Sequence, residues 1–158
     1  MLDIIIRLAA TSERSSLERL QWRASLSNPG DRDALLAHPD AVALPVDQIT
    51  DGHVFVAERE GVIVGFATVL PRPDGEAELD ALFVEPALWK GGIGRLLVEH
   101  CAGVARRRSS RILHVIGNPH AEGFYEACGF VTYGSHETEF GPGLLMRAAI
   151  GPADAGAT

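Results

Sequence analysis

Apolar residues recur along the chain with two periods, and the switches between them outline the elements. Ile4, Ile5, Ile6 and Leu8 predict a short strand, after which Ser12 is placed to cap a helix to about Ser27 with Leu17, Leu20 and Leu26 on one stripe. Beyond the Asn28-Pro29-Gly30 break, Asp31 is positioned to cap a second helix carrying Leu35 and Leu36, and Pro45 to Gly52 reads as irregular. From His53 the period shortens to that of a strand: Val54 to Glu58, Val62 to Leu70 and Glu76 to Val84 predict an antiparallel meander with turns at Glu60-Gly61 and at Pro71 to Gly75. Helical spacing returns over Gly92 to Arg108, with Ile93, Leu96, Leu97, Cys101, Val104 and Ala105 on the apolar face. A strand at Ile112 to Ile116, a helix at Pro119 to Cys128 and strands at Phe130 to Tyr133 and Leu144 to Ile150 complete the pattern, and Gly151 to Thr158 is expected to be a frayed tail.

This order, with no internal repeat and no linker, predicts one layered α/β (α+β) domain over residues 1–150. A chain of 158 residues can build a core without disulfides or metal, and Cys101 and Cys128 are expected to be free packing thiols. Fourteen basic residues against 21 acidic ones give a net charge of −7, which argues against nucleic acid and anionic membrane as partners and leaves amines compatible. Arg106, Arg107 and Arg108 close the long helix, where cations offset its dipole. No apolar run approaches the ~18 residues of a membrane span, and the amino end has no signal-peptide character, so the cytoplasm is the expected compartment. An isologous homodimer is the expected assembly if the chain oligomerises.

Between Glu78 and His100 a strand passes through a Pro86 turn into Gly91, Gly92 and Gly94 and directly into the amphipathic helix. Glycine admits positive φ and a close ligand, while the first helical N–H groups have no partner within the helix, so the bend favours an anion. It is neither a dinucleotide fingerprint, which needs glycine where Leu97 stands, nor a P-loop, which needs Gly-Lys-Ser/Thr.

A second segment, Asn118 to Phe130, has Asn118 as a cap, Pro119 at the first helical position and Gly129 as a stop. Ala121 and Tyr125 fall four apart, on one face. Taken together the two segments resemble motifs A and B of the GNAT acetyltransferase superfamily. Trp89, Lys90, Gly91, Gly92, Ile93 and Gly94 stand at its Gln/Arg-x-x-Gly-x-Gly/Ala pattern, and Asn118, Ala121, Tyr125, Gly129 and Phe130 at its second motif. Trp89 departs from Gln or Arg, which removes a polar side chain but leaves the backbone donors.

The resemblance implies a mixed, mostly antiparallel sheet of about seven strands flanked by about four helices, with acetyl-coenzyme A as co-substrate. Its diphosphate would lie on Trp89 to Arg95, its pantetheine arm along Leu82, Phe83 and Val84 with Phe83 and Val84 offering backbone groups, and Asn118, Ala121, Phe124 and Tyr125 would line the other side. The chemistry implied is attack of an amine on the thioester, with Tyr125 as the acid that protonates the departing thiolate. For the base, counting back from Gly94 puts Glu78 where some family members place a catalytic glutamate; Asp80 comes second, and a water chain is the third option. Alternation places Glu78 and Asp80 on one strand face with Leu82 and Val84.

The acceptor, an amine of a small molecule or of a protein or peptide, would meet the first two helices and the last loop, including Trp22, His136, Glu137 and Glu139. The six histidines show no ligand spacing, and no metal is expected. A non-catalytic acyl-coenzyme A binding or sensor module on the same fold is the alternative, and a phosphate-binding domain unrelated to acyl transfer a further one.

Overall fold

The protein is described from a computed structural model covering residues 3–28, 31–138 and 141–151. Proline 29, glycine 30, Glu139 and the tail from residue 152 onward, all part of the expectations above, lie outside the described residues. A seven-stranded sheet runs in the order β1-β2-β3-β4-β5-β7-β6. Its strands are β1 (Ile4–Leu8), β2 (Val54–Arg59), β3 (Val62–Pro71), β4 (Ala77–Val84), β5 (Ile112–Gly117), β6 (Val131–Thr138) and β7 (Gly141–Ala149). All neighbours are antiparallel except β4 and β5, so the sheet is mixed and mostly antiparallel.

Among the described residues five α-helices accompany it: α1 (Arg14–Leu26), α2 (Arg32–Ala37), α3 (Val46–Thr50), α4 (Ile93–Arg107) and α5 (Glu122–Ala127). The extra one, α3, falls in the stretch read as irregular; it is five residues long and buries one side chain, Ile49, too little to set up a period. The edge hairpin β6–β7 is longer than its apolar runs suggest, because Gly134, Ser135 and His136 pair through their backbones without an apolar face. Ser12 lies in a single 3₁₀ turn ahead of α1; there the Glu13 carboxylate accepts the Ala10 N–H at 2.8 Å and ion-pairs with Arg7 at 2.7 Å. Asp31 makes no side-chain cap on α2, since its carboxylate is engaged elsewhere.

Each sheet face carries its own core. On one side α4 and α5 cover Ala67, Val69, Leu79, Leu113, Val115 and Met146, with Ile93, Leu97 and Cys101 inserted from the helix. On the other, Leu17 and Leu20 of α1 and Ile49 of α3 cover Val54, Val56 and Phe66. Each fully buried aliphatic side chain contributes about 1.5–3 kcal/mol. Cys101 is fully buried, and desolvation pushes its thiol up to about 12, so it packs as a neutral apolar group, whereas Cys128 is only half-buried. Arg108, at the end of α4, does more than offset the dipole: it donates to the Gly52 carbonyl at 3.2 Å, tying the helix to the start of β2. No helix among the described residues is long and apolar enough to cross a membrane.

Two irregularities in β4 position the site. The β3–β4 register steps from Thr68↔Ala81 to Val69↔Leu79, so Asp80 is the extra residue of a bulge, and a bulge bends its strand. In addition β4 pairs with β5 only from Ala77 to Leu79, after which the two strands diverge.

The bulge also corrects the expected alternation. Leu82 and Val84 pack in the cluster that holds Leu79, beneath α4, while Ala81 and Phe83 pack beneath α1. Glu78, one residue from Leu79, therefore lies on the face opposite Leu82 and Val84. An uninterrupted period of two cannot be carried across an inserted residue.

Candidate active site

Where β4 and β5 diverge the sheet opens into a cleft of about 710 Å³. Asp80 to Val84 form one wall. The turn residues Trp89, Lys90 and Gly92 continue it with Ile93, Gly94 and Arg95 at the start of α4. The facing wall is Val115, Ile116 and Asn118 with Ala121, Phe124, Tyr125 and Cys128; Ala24, Ser25, Asn28 and Asp31 close the rim from α1 and α2. Of the residues expected at the site, Gly91 lies in the turn but outside the lining, and Glu78 is outside the cleft.

The glycine bend is a main-chain donor site. Gly92 caps α4 with φ +91°, a left-handed conformation that glycine adopts without strain. Among the described residues, the N–H groups of Gly92, Ile93, Gly94 and Arg95 have no protein acceptor, the first in-helix bond being Leu96 N–H to the Gly92 carbonyl at 3.1 Å. With the dipole of a 15-residue helix behind them, four free donors suit a diphosphate. Lys90, at φ +69°, is a non-glycine residue in the same left-handed region. Lys90 and Arg95 make this end of the cleft cationic. Gly94 permits close packing, since a Cβ there would lie 3.1 Å from Phe124 Cζ.

The β4 wall offers backbone groups at every second residue. Glu85 N–H donates to the Val64 carbonyl, making Gly65 and Val84 a non-hydrogen-bonded pair. The amides and carbonyls of Val84 and Leu82 therefore point away from β3, into the opening. Those of Phe83 point at β3, so of the two residues expected to offer backbone groups Val84 does so into the opening, with Leu82 rather than Phe83 beside it, and Phe83 lines the cleft from the α1 side, 5.5 Å from the Phe66 ring. The Val84 carbonyl accepts the Trp89 indole N–H at 2.8 Å.

Tyr125 is buried between Phe124 and Phe130, with edge-on ring contacts at 5.1 and 5.5 Å, and it packs against Gly117. Tyr125 lines the cleft, its hydroxyl has no hydrogen-bond partner among the described residues, and burial raises its pKa well above the ordinary phenol value, which favours the protonated phenol. Asp80 opens to solvent through the cleft mouth, yet the apolar walls desolvate its carboxylate enough to raise its pKa. Glu78 instead sits 3.9 Å from Arg72, on the outer side of the strand. Asp80 is thus the carboxylate of β4 that meets the cleft.

Asp31, expected only as a helix cap, lines the rim of the cleft. Its Oδ1 accepts from Asn118 Nδ2 at 2.9 Å and its Oδ2 from Asn28 Nδ2 at 3.1 Å, tying the α1–α2 rim to the end of β5; burial raises its pKa. Asn118 also accepts the His120 N–H on its Oδ1 at 2.9 Å, so both ends of its amide are spent on the fold. No sequence signal could have revealed a contact spanning 87 residues. Trp22 lines a separate groove with Arg19 and Pro39, and His136 and Glu137 are exposed on β6 and not in the cleft.

One group of potential ligand atoms, on Asp74, Glu76 and His114, lies within 4.8 Å of one another; spacing along the chain did not reveal it because the turn and β5 meet only in the fold. Its members are already engaged: Asp74 with Arg72 at 3.0 Å, and buried His114 with Glu76 at 2.5 Å and the Tyr133 hydroxyl at 3.2 Å.

Comparison with known proteins agrees with this fold. A stretch of 61 residues is 36% identical to the peptidyl-lysine N-acetyltransferase YjaB of Escherichia coli (strain K12), covering 39% of this chain and 40% of that protein, so the match spans about two fifths of the relative's length. Among solved structures, a GCN5-related N-acetyltransferase from Rhodopseudomonas palustris superposes with a TM-score of 0.78 at 18% identity, over 94% of this chain and 98% of that one. YncA of Salmonella typhimurium, a structure with its cofactor acetyl-CoA, superposes with a TM-score of 0.68 at 21% identity, over 94% of each chain. The model of the acetyltransferase (GNAT) family matches residues 15–130, from α1 to the end of the second motif, and the chain belongs to that family.

Proposed function

We propose that the protein transfers the acetyl group of acetyl-coenzyme A to a primary amine of a small molecule, protein or peptide, by direct attack with both substrates in the cleft. The observation that carries this reading is the convergence on one cleft of four unpaired amides at Gly92 to Arg95, the free phenol of Tyr125 and the carboxylate of Asp80. The amides and Lys90 would hold the diphosphate, and the backbone of Leu82 would pair with the amide arm as an added strand does.

Asp80 takes the ammonium proton, freeing the nitrogen lone pair. The nitrogen forms its bond to the thioester carbon, the carbon–sulfur bond breaks with its electrons on sulfur, and the Tyr125 hydroxyl supplies the proton to the thiolate; the acylated nitrogen passes its second proton through solvent to the phenolate, and solvent removes the first from Asp80, so that one proton is released per turnover. The carboxylates Asp31 and Asp80, neither of them ion-paired among the described residues, favour a cationic acceptor at the end of the cleft away from Lys90 and Arg95. The lysine-directed relative supports a peptide amine as the first acceptor class to test.

The test is coenzyme A thiol release from acetyl-coenzyme A over a panel of lysine peptides, peptide N-termini and small polyamines, alongside calorimetry with acetyl-coenzyme A alone. The expected result is saturable binding and turnover on at least one amine class. Binding without turnover on any amine would leave a sensor module, and no binding at high micromolar ligand would remove the reading altogether.

A further inference from the structure

The β4 wall has a feature that its backbone geometry does not require. Beyond Leu79 the strand loses its β5 partner, so the cleft-side groups of Leu82 and Val84 form a short unpaired edge, the kind of surface to which an extended amide chain adds by strand-like hydrogen bonding. The Val84 carbonyl, the member of that edge nearest the glycine bend, is capped by the Trp89 indole at 2.8 Å. Because the other side of β4 is closed by β3, a strand-like partner has to approach that carbonyl from the side the indole occupies.

The indole is weakly held. Trp89 is 44% exposed, belongs to neither core cluster and stacks on no other ring among the described residues. The next residue, Lys90, sits at φ +69°, where a side chain is disfavoured, so the turn carrying the ring has a conformational reason to move.

We propose that Trp89 is a displaceable stand-in for the acyl donor: its indole N–H satisfies the Val84 carbonyl while the cleft is empty and leaves when the amide-bearing arm of acetyl-coenzyme A pairs there. The proposal rests on the acetyl-coenzyme A reading above. It assigns to Trp89 a positioning role, setting donor affinity by competition. The chain's departure from Gln or Arg at this position then introduces a competitor for the donor's own hydrogen bond.

The chain has two tryptophans, Trp22 and Trp89, so ¹⁵N-labelled full-length protein gives two indole N–H signals, and W89F identifies the one that belongs to Trp89. In free protein the Trp89 signal is expected to exchange slowly with solvent. Saturation with acetyl-coenzyme A should shift it and make it exchange fast; pantetheine, which carries the amide arm without the nucleotide, should do the same at higher concentration. W89F keeps a ring but removes the donor, and by calorimetry it should bind acetyl-coenzyme A roughly 2- to 10-fold tighter, the worth of one net hydrogen bond.

A Trp89 signal that neither shifts nor gains exchange at saturating acetyl-coenzyme A would overturn the proposal while leaving the transferase reading intact, as would W89F binding equally or more weakly. Failure of the wild-type chain to bind acetyl-coenzyme A would overturn both. The exchange measurement uses the unaltered protein, so it decides the matter even if W89F folds poorly.

Discussion

The wall of the cleft formed by β4 and the start of α4 presents main chain to a ligand, in the amides of Gly92 to Arg95 and the cleft-side groups of Leu82 and Val84. The opposite rim, from α1, α2 and the end of β5, presents side chains: Asn28, Asp31, Asn118 and His120. A main-chain wall is sensitive to φ and to added Cβ atoms but indifferent to much of the side-chain chemistry around it. A side-chain rim changes its preference with the side chains it carries, although here Asn28, Asp31 and Asn118 also hold the rim to the end of β5. The first suits a ligand that does not vary, the second one that does, a division that fits the proposed placing of the acyl donor on the glycine wall and of acceptor choice on the rim.

Four substitutions sharpen or break that contrast. Tyr125 stands where the two surfaces meet, and Tyr125→Phe should lower kcat by about 10²–10⁴-fold while leaving acetyl-coenzyme A affinity, measured by calorimetry, within a factor of about two. Full turnover by the variant would reduce Tyr125 to packing. Asp80→Asn should lower kcat/KM by about 10²-fold at neutral pH and abolish the acid limb of the pH profile, because the amine's base must be ionised and the cleft holds the Asp80 pKa above its ordinary value.

The stability of the same variant moves the other way. A folded-state pKa raised above the unfolded one means that the native state binds more protons in the window between them, so the wild-type carboxylate lowers stability as pH rises through that window. Asp80→Asn is expected to melt above wild type at neutral pH and to show no such gain at a pH below the ordinary carboxylate pKa; thermal scans at both pH values read this directly.

On the main-chain wall, Gly92→Ala should cost about 1–2 kcal/mol of stability, because the open space around Gly92 does not relieve a φ of +91°. Acetyl-coenzyme A affinity should fall with it, and an unchanged melting temperature would show that the cap has another accessible conformation. The smallest effect is expected at Lys90→Gly, which removes the left-handed strain of a side chain at φ +69° and should stabilise by about 0.5–1 kcal/mol in chemical denaturation, at the loss of one cation beside the diphosphate site.

The glycine wall was readable in the sequence because its geometry is encoded locally: the strand, the bend and α4 are contiguous, and the bend is built from residues that omit a side chain. The order of strands followed from period-two runs for the same reason. The proposed base was harder, because the placement of the β4 carboxylates depends on a bulge that appears only when β4 is laid against β3; the count back from Gly94 put Glu78 ahead of Asp80, strict alternation put both on one face, and the structure places Glu78 beside Arg72, outside the cleft. The place of Asp31 at the cleft, as opposed to its expected capping role, was illegible for a different reason, since its partner Asn118 lies in another part of the chain. Of the residues expected at the acceptor on the first helices and the last loop, Trp22 lies in a groove of its own and His136 and Glu137 lie outside the cleft. Local backbone chemistry survives projection onto one dimension, and side-chain convergence does not.

The inserted residue at Asp80 shifts the reading frame of the strand that contains it. Before it, odd-numbered positions look toward α4; after it, even-numbered ones do. One amino acid therefore does three jobs: it bends β4, it turns a carboxylate toward the opening, and it exchanges which of the following backbone amides face outward. A descendant of this chain that lost that single residue would keep every motif glycine and Tyr125, yet present the wrong edge of β4 to the thioester, so in this architecture an indel of one is more disabling than most substitutions in the motifs themselves.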